Sequence, residues 1–282
     1  MEIRAIKTQR VLSPTQITLA DYAINPYRGC EFGCIYCYAL QNKNIRNNEE
    51  ILGIKINAAS VLEKELCYKL PKRVLLGSAT ECFQYKEMEY KITEKIIQLL
   101  NSRNIPYTIL TKSHLIAEYL PIIAKNKRNK IYFTLNLHSN KLIKMFEKKT
   151  PAIEERIRVI KTITAHKIPL RVHIGPFIPY ISSLEKIISL LPESIKEINV
   201  ELYHHTMGNF TQVLNIIERN FGEDMRNKVN SVYKSRNNYL RFAETLEDRI
   251  SKAQSKHRIK LFLIMPDFDD YYNEKINYGD NI

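Results

Sequence analysis

Three cysteines, Cys30, Cys34 and Cys37, fall within eight residues, inside the run N-P-Y-R-G-C-E-F-G-C-I-Y-C-Y-A at positions 25–39. A stretch that must bring three thiols to one centre has to wrap as a loop, and Gly29 and Gly33 supply the backbone freedom to do so. Iron–sulfur clusters are held by cysteine thiolates, usually four. Three thiolates on a [4Fe-4S] cube leave one iron open, and S-adenosylmethionine (SAM) can fill it through its methionine amino and carboxylate groups. Two plainer readings compete. A structural zinc site takes a fourth ligand and typically pairs two Cys-x-x-Cys knuckles, whereas the other cysteines, Cys67 and Cys82, stand alone. A redox dithiol made from Cys34 and Cys37 leaves Cys30 unexplained.

Beyond the cysteines the chain reads as alternating strands and helices. Strands are expected at 22–27, 54–56, 73–77, 107–111, 131–135, 170–174 and 197–202. Helices are expected from 38, then around the apolar positions Ala59, Leu62, Leu66 and Leu70, and at 91–101, 115–125, 140 onward, 151 onward and 182–191. Cys67 lies beside an apolar stripe and reads as a core thiol. The segment 42–50 is polar and loop-like. Repeated strand–helix units of this length imply a parallel sheet with right-handed crossovers. The fold class is α/β, with about six main strands in a partial barrel. Residues 1–22 read as a lead-in, 23–205 as the barrel, and 206–282 as a mostly helical extension packing on it. That extension has helices at 210–221 and 237–256, a polar region near Asn230 and a last strand at 260–265.

Parity along the strands carries a second expectation. Outer strand faces of a parallel barrel are covered by helices and must be apolar, so the alternate residues point inward. Ile131, Phe133, Val172, Ile174, Ile198 and Val200 suit the outside. Tyr132, Thr134, Asn136, Arg171, His173, Asn199, Glu201 and Tyr203 are then turned inward. A lumen filled only for stability would hold branched aliphatics. This one is polar enough to bind a polar ligand, or Arg171 and Glu201 pair with each other there.

The chain has 282 residues, 44% of them hydrophobic, enough for one domain with a substantial core. Its formal charge of +13 favours an anionic partner such as nucleic acid, and the abundance of Ile, Lys and Asn explains the charge equally well as compositional bias. The first ten residues lack the apolar core of a signal peptide, no run approaches the ~18 apolar residues of a membrane span, and five cysteines, an odd number, argue against a disulfide framework. A cytoplasmic protein with no membrane partner is expected.

The cysteine run resembles the radical SAM proteins of the spore photoproduct lyase-like (DNA repair photolyase-like) family. The resemblance continues through I-K-I-N-A-A-S-V-L-E-K-E-L from Ile54, T-K-S at Thr111, E-K-K-T-P-A-I-E-E-R-I from Glu147 and I-G-P-F-I-P from Ile174. It implies a partial (β/α)6 radical SAM barrel and an enzyme that cleaves SAM reductively to a 5′-deoxyadenosyl radical. Cys30, Cys34 and Cys37 would hold the cluster. Ser78, Thr80 and Glu81 would meet the methionine ammonium, Lys112 the SAM carboxylate, and Tyr36 the adenine. Asn136 is expected at the ribose, residues 174–179 including Ile178 at the adenine, and Arg171 at the cofactor cavity. Tyr38 matches a tyrosine flanking the cluster and could relay a hydrogen atom or simply pack.

This chain also departs from the family. The family's cysteine hydrogen donor follows the strand that here ends at Gly77, where this chain has Ala79, with Cys82 three residues later. Either Cys82 takes the donor role after a local shift or it is a bystander. The family's Asp-Pro-Tyr-Gln reads here Glu81-Cys82-Phe83-Gln84. The expected partners are SAM, an electron donor such as flavodoxin or ferredoxin, and a nucleic acid lesion as substrate. For nucleic acid the sequence offers the basic turn 125–130 and the interleaved Tyr233, Lys234, Arg236, Tyr239 and Arg241. His204 and His205, at a strand end, are placed for substrate contact. Modification of a peptide or small metabolite is the alternative within the same chemistry. A non-catalytic iron–sulfur or zinc-stabilised binding protein is the alternative outside it.

Overall fold

The computed structural model describes residues 1–41, 51–207 and 209–269, so the expected loop at 42–50 lies outside the described residues. In chain order the strands are β1 (Glu2–Ile6), β2 (Ser13–Pro14), β3 (Tyr22–Ile24), β4 (Tyr27–Arg28), β5 (Ile51–Lys55) and β6 (Val74–Leu76). They continue with β7 (Tyr107–Thr111), β8 (Lys130–Thr134), β9 (Leu170–Phe177), β10 (Glu197–Leu202) and β11 (Lys260–Ile264). The large sheet has the order β11-β10-β9-β8-β7-β6-β3-β2. Every pairing in it is parallel except β2 with β3. A smaller sheet, β1-β5-β4, takes up part of the first residues. The expected strand at 22–27 is divided between the two sheets.

The mixed α/β architecture with a mostly parallel open sheet is the partial barrel expected from the strand–helix repeat. One element enlarges it. The last strand among the described residues, β11, lies parallel beside β10 and adds a further strand to the sheet, with Val200 opposite Leu263.

Parity holds along the sheet. Ile109, Ile131, Phe133, Val172, Ile174, Ile198 and Val200 belong to the main core, with helix residues such as Ile96, Ile160, Ile163, Ile187 and Ile217. The inward residues Ala23, Leu75, Tyr132 and Ile264 form a separate cluster with Leu19 and Ala20, which come from the lead-in and pack inside the barrel.

Local signals place the helices. Ser139, Ser183 and Ser235 accept backbone N–H bonds at the starts of the helices Asn140–Phe146, Leu184–Leu190 and Arg236–His257. Glu155 accepts from the Ala152 N–H at 2.9 Å at the start of Ile153–Ala165. Three expectations are corrected. The helix Ala58–Glu65 stops early, so Cys67 is exposed instead of in the core, and Leu70 is 87% exposed. The polar region near Asn230 is a helix, Glu223–Val232, which starts after Gly222 with Glu223 and Asp224 in its first turn. The expected helix at 115–125 is a 3-10 turn, His114–Tyr119, followed by Leu120–Ile123. Pro121 has no N–H to continue a regular ladder.

Candidate active site

At the carboxyl ends of the strands a cavity of about 320 Å³ opens. In parallel barrels this is the end where ligands bind. All three clustered cysteines line it, together with Tyr36, Tyr38, Gly77 to Glu81, Lys112, Thr134, His173, Glu201 and His204.

The cysteine loop is fastened by backbone bonds along its length. Ile35 N–H donates to Phe146 O at 2.9 Å, Lys149 N–H to Phe32 O at 3.3 Å, and Cys37 N–H to Cys34 O at 3.1 Å. Gly33 turns the chain at φ +59°, a conformation glycine adopts without strain. Asn209 stands at the start of the helix Phe210–Phe221, where an asparagine side chain ordinarily caps. Its Nδ2 instead donates to Ile35 O at 2.9 Å and Cys37 O at 3.0 Å.

Burial raises all three thiols above their ordinary range, Cys34 to about 12. The opposing influences differ by position. Backbone N–H groups of Phe32 and Glu81 bond Cys30, those of Ala39 and Leu40 bond Cys37, and Cys34 feels the positive charges of Lys112 and Arg156. Donors and cations aimed at sulfur are what a set of thiolate ligands requires. Two further polar atoms, Thr80 Oγ1 on the cavity wall and Arg156 Nη1 behind it, are buried with no hydrogen-bond partner among the described residues. The donor set therefore fits a thiolate-held cluster with a polar ligand beside it. Among the described residues no three or more His, Cys, Asp or Glu converge on a single-ion site.

The loop after β6 forms the next part of the wall. Gly77 has φ +83°, and a Cβ there would lie 2.6 Å from Leu110 O, so the turn needs glycine. Asn25 ties this loop to the cluster loop, donating to Ser78 Oγ at 3.2 Å and accepting from the Ala79 N–H at 2.9 Å. Tyr38 donates its hydroxyl to Ser78 O. The Glu81 carboxyl is buried and accordingly raised, and it accepts from Thr111 Oγ1 at 2.6 Å, Phe83 N–H at 3.0 Å and Lys112 N–H at 3.1 Å. It braces the strand ends more than it offers an oxygen to a ligand.

Lys112 follows β7. Its Nζ lies 2.6 Å from Tyr36 Oη, 2.8 Å from Glu147 Oε1 and 3.5 Å from Cys34 Sγ. Glu147 and its second partner, Arg156, are fully buried. The sequence carried both only as part of the family-like stretch 147–157, with no role attached. Tyr36, expected against the adenine, bonds this network through its hydroxyl. Asn136 is fully buried beneath it, with Oδ1 accepting from Tyr36 at 3.4 Å and Nδ2 donating to Pro176 O at 3.4 Å.

Four sequence-derived site residues are not on the cavity wall: Asn136, buried beneath Tyr36, and three others. Arg171 points into the lumen, but at a deeper layer. Its guanidinium bonds Glu197 and Asn199 and lies 4.5 Å from the Phe262 ring centroid. Ile178 is fully buried in the main core, and Gly175 and Pro176 line the cavity instead. Cys82 is fully buried in the same core, behind the Gly77 turn. The chain geometry that removes it is the turn itself, which directs residues 77–81 at the cavity and folds Cys82 away.

The opposite wall comes from β8 to β10. His173 Nε2 lies 3.1 Å from Glu201 Oε2, and the ring rests over Gly175, where a Cβ would come within 2.0 Å of Nε2. His204 bonds Thr206 Oγ1 at 2.6 Å and the Asp267 carbonyl. His205 stacks on Phe268 and Tyr233.

The model of the Radical SAM superfamily matches residues 24–191. The chain belongs to the radical SAM superfamily. Members of it generally use a [4Fe-4S] cluster and SAM, and the protein is a radical SAM enzyme. It is 28% identical over 191 residues to an uncharacterised protein of Methanocaldococcus jannaschii, covering 67% of this chain and 72% of that one. It is 30% identical over 173 residues to an uncharacterised protein of Mycobacterium tuberculosis, covering 57% of this chain. That match spans about half the mycobacterial protein, 51%.

Among solved structures, a single-substitution mutant of spore photoproduct lyase matches 93% of this chain and 80% of its own, with a TM-score of 0.67 at 14% identity. A doubly substituted mutant of that lyase, with bound AdoMet and dinucleoside spore photoproduct, gives the same coverage and TM-score at 15% identity. At such identity the likeness concerns the fold. No helix among the described residues is long and apolar enough to cross a membrane.

Proposed function

We propose that Cys30, Cys34 and Cys37 hold a [4Fe-4S] cluster, that SAM binds across the cluster and the strand-end loops, and that a hydrogen atom is taken from a nucleic acid substrate. The observation that carries this reading is the shared cavity: three thiols, Lys112 and the Ser78–Glu81 turn face one space at the carboxyl ends of the strands. When bound, the cluster and SAM supply reductive cleavage to methionine and a 5′-deoxyadenosyl radical, with the electron delivered by a donor such as flavodoxin or ferredoxin. The protein's part is positioning and electrostatics. Lys112 meets the SAM carboxylate as a charge-assisted donor. Ser78 and Thr80 accept from its ammonium, and Pro176 offers the adenine an apolar surface. The β9–β10 wall, with His173, Glu201 and His204, receives the substrate.

Nucleic acid as the substrate class is supported by the net charge of +13 and by the fold shared with a lyase seen with a dinucleoside photoproduct. A second reading, a peptide or small metabolite, is favoured by one observation. Tyr233 and Tyr239, which could have been stacking platforms for bases, are 6% and 1% exposed, and Arg236 pairs with Asp267 and Asp269. The basic turn before β8 also lies at the strand end opposite the cavity.

Anaerobic reconstitution with iron and sulfide, followed by reduction with SAM present, tests the chemistry: 5′-deoxyadenosine is expected, and its absence refutes the enzyme reading. Salt-dependent binding of single- or double-stranded DNA supports the first substrate class. Indifference to DNA leaves the second.

A further inference from the structure

Among the described residues, Lys112 is the cation lining the cluster side of the cavity, yet its ammonium is already bonded to Glu147 at 2.8 Å. A lysine paired with a carboxylate is a neutral unit and attracts an incoming anion weakly. The other oxygen of Glu147 is bonded by Arg156, and both of these side chains are fully buried. Arg156 does not reach the cavity wall. Its Nε donates to Pro151 O at 3.0 Å, and its Nη2 also bonds Thr150 Oγ1. The start of the helix Ile153–Ala165 fixes its backbone, with Arg156 N–H donating to Ala152 O at 3.1 Å. Glu81, the other carboxyl beside Lys112, bonds its backbone N–H and not its ammonium. The Lys112–Glu147–Arg156 triad therefore carries one net positive charge, and only its lysine end faces the cavity.

We propose that Arg156 is a positioning residue for SAM: by neutralising Glu147 from the buried side, it leaves the charge of Lys112 available to the SAM carboxylate while Glu147 holds the ammonium in place. This rests on the reading of Lys112 as the carboxylate partner. Charge accounting gives the proposal its signature. R156Q leaves a neutral Lys–Glu pair, whereas the double variant E147Q/R156Q removes both buried charges and returns the site to one net positive charge.

The test is calorimetric binding of SAM and of decarboxylated SAM to the cluster-loaded, unreduced protein, so that nothing turns over. Wild type is expected to prefer SAM. R156Q is expected to weaken SAM by roughly tenfold or more, the scale of one charge-assisted bond, and to leave the decarboxylated compound unchanged. R156K and E147Q/R156Q are expected to keep most of the SAM preference. Equal weakening of both ligands in R156Q, or a double variant as weak as R156Q, overturns the proposal and makes Arg156 a packing residue. Should R156Q not accumulate as folded protein, the double variant decides alone: kept preference supports the proposal and lost preference refutes it. A wild type that binds SAM but is indifferent to the carboxylate removes the reading of Lys112 and this inference together. A wild type with the preference, and variants without the pattern, removes the inference alone.

Discussion

The two walls of the cavity are built by different means. On the cluster side the charged side chains of Lys112, Glu147, Arg156 and Glu81 all have protein partners. Glu147 and Arg156 are fully buried and bonded to each other, Glu81 accepts three bonds, and the cysteine loop is pinned from Phe146 and Asn209. On the β9–β10 side the polar pair His173 and Glu201 lies on the cavity wall itself, and the neighbouring His205 sits among rings rather than in a buried carboxylate–guanidinium pair. On the proposed function, a wall that performs one invariant task can be largely bonded in advance, because its ligands do not change. On the same reading, the wall that would meet the substrate keeps its hydrogen-bonding groups on the cavity face.

That contrast can be broken by substitution. The largest effect belongs to the cluster loop: Cys34→Ala is expected to abolish iron and sulfide retention and with them all 5′-deoxyadenosine formation, measured by metal analysis and product chromatography. Next comes Lys112→Ala, which should weaken SAM binding by roughly tenfold to a hundredfold, one or two charge-assisted bonds' worth, while iron content is kept. Loss of iron as well would make Lys112 part of the cluster's support.

Backbone close approaches come third. Gly77→Ala on the cluster side and Gly175→Ala on the substrate side each place a Cβ against a neighbour, at 2.6 Å and 2.0 Å, and each is expected to cost about 1–3 kcal/mol in denaturant titrations. They should differ in function. Gly77→Ala disturbs the turn that carries Ser78 and Thr80 and so weakens SAM, whereas Gly175→Ala drives the His173 ring off Glu201 and alters substrate handling first. Identical effects on SAM affinity would erase the distinction between the walls. The smallest effect is Cys82→Ala: a buried thiol outside the cavity should cost about 1 kcal/mol of stability and leave turnover intact, and a loss of turnover would restore it as hydrogen donor.

Much of the site was legible because its information is local. Spacing alone assembles Cys30, Cys34 and Cys37, and period-two alternation correctly turned Thr134, His173 and Glu201 inward. Glu147 and Arg156 were not legible as a functional pair. Their burial depends on residues 146–149 crossing against 32–35, and among 43 basic and 30 acidic residues nothing local marks which pair is taken out of water. Arg171 had the right parity but the wrong depth, since alternation gives the side of a strand and not the layer. The helix Glu223–Val232 escaped because only Val229 and Val232 are buried on it, too few to set a period. Cys67 and Leu70 misled in the opposite way, continuing an apolar stripe past the point where the helix ends.

Asn209 carries a consequence in time. Its amide fastens Cys37 from 172 positions later in the chain, across a separation that only a folded barrel closes. A nascent chain emerging from the ribosome presents its three thiols long before that clasp has been synthesised. On the proposed function, the loop that would receive the cluster takes its final form only once the barrel has closed, so that the centre's pocket is the last part of the site to be completed.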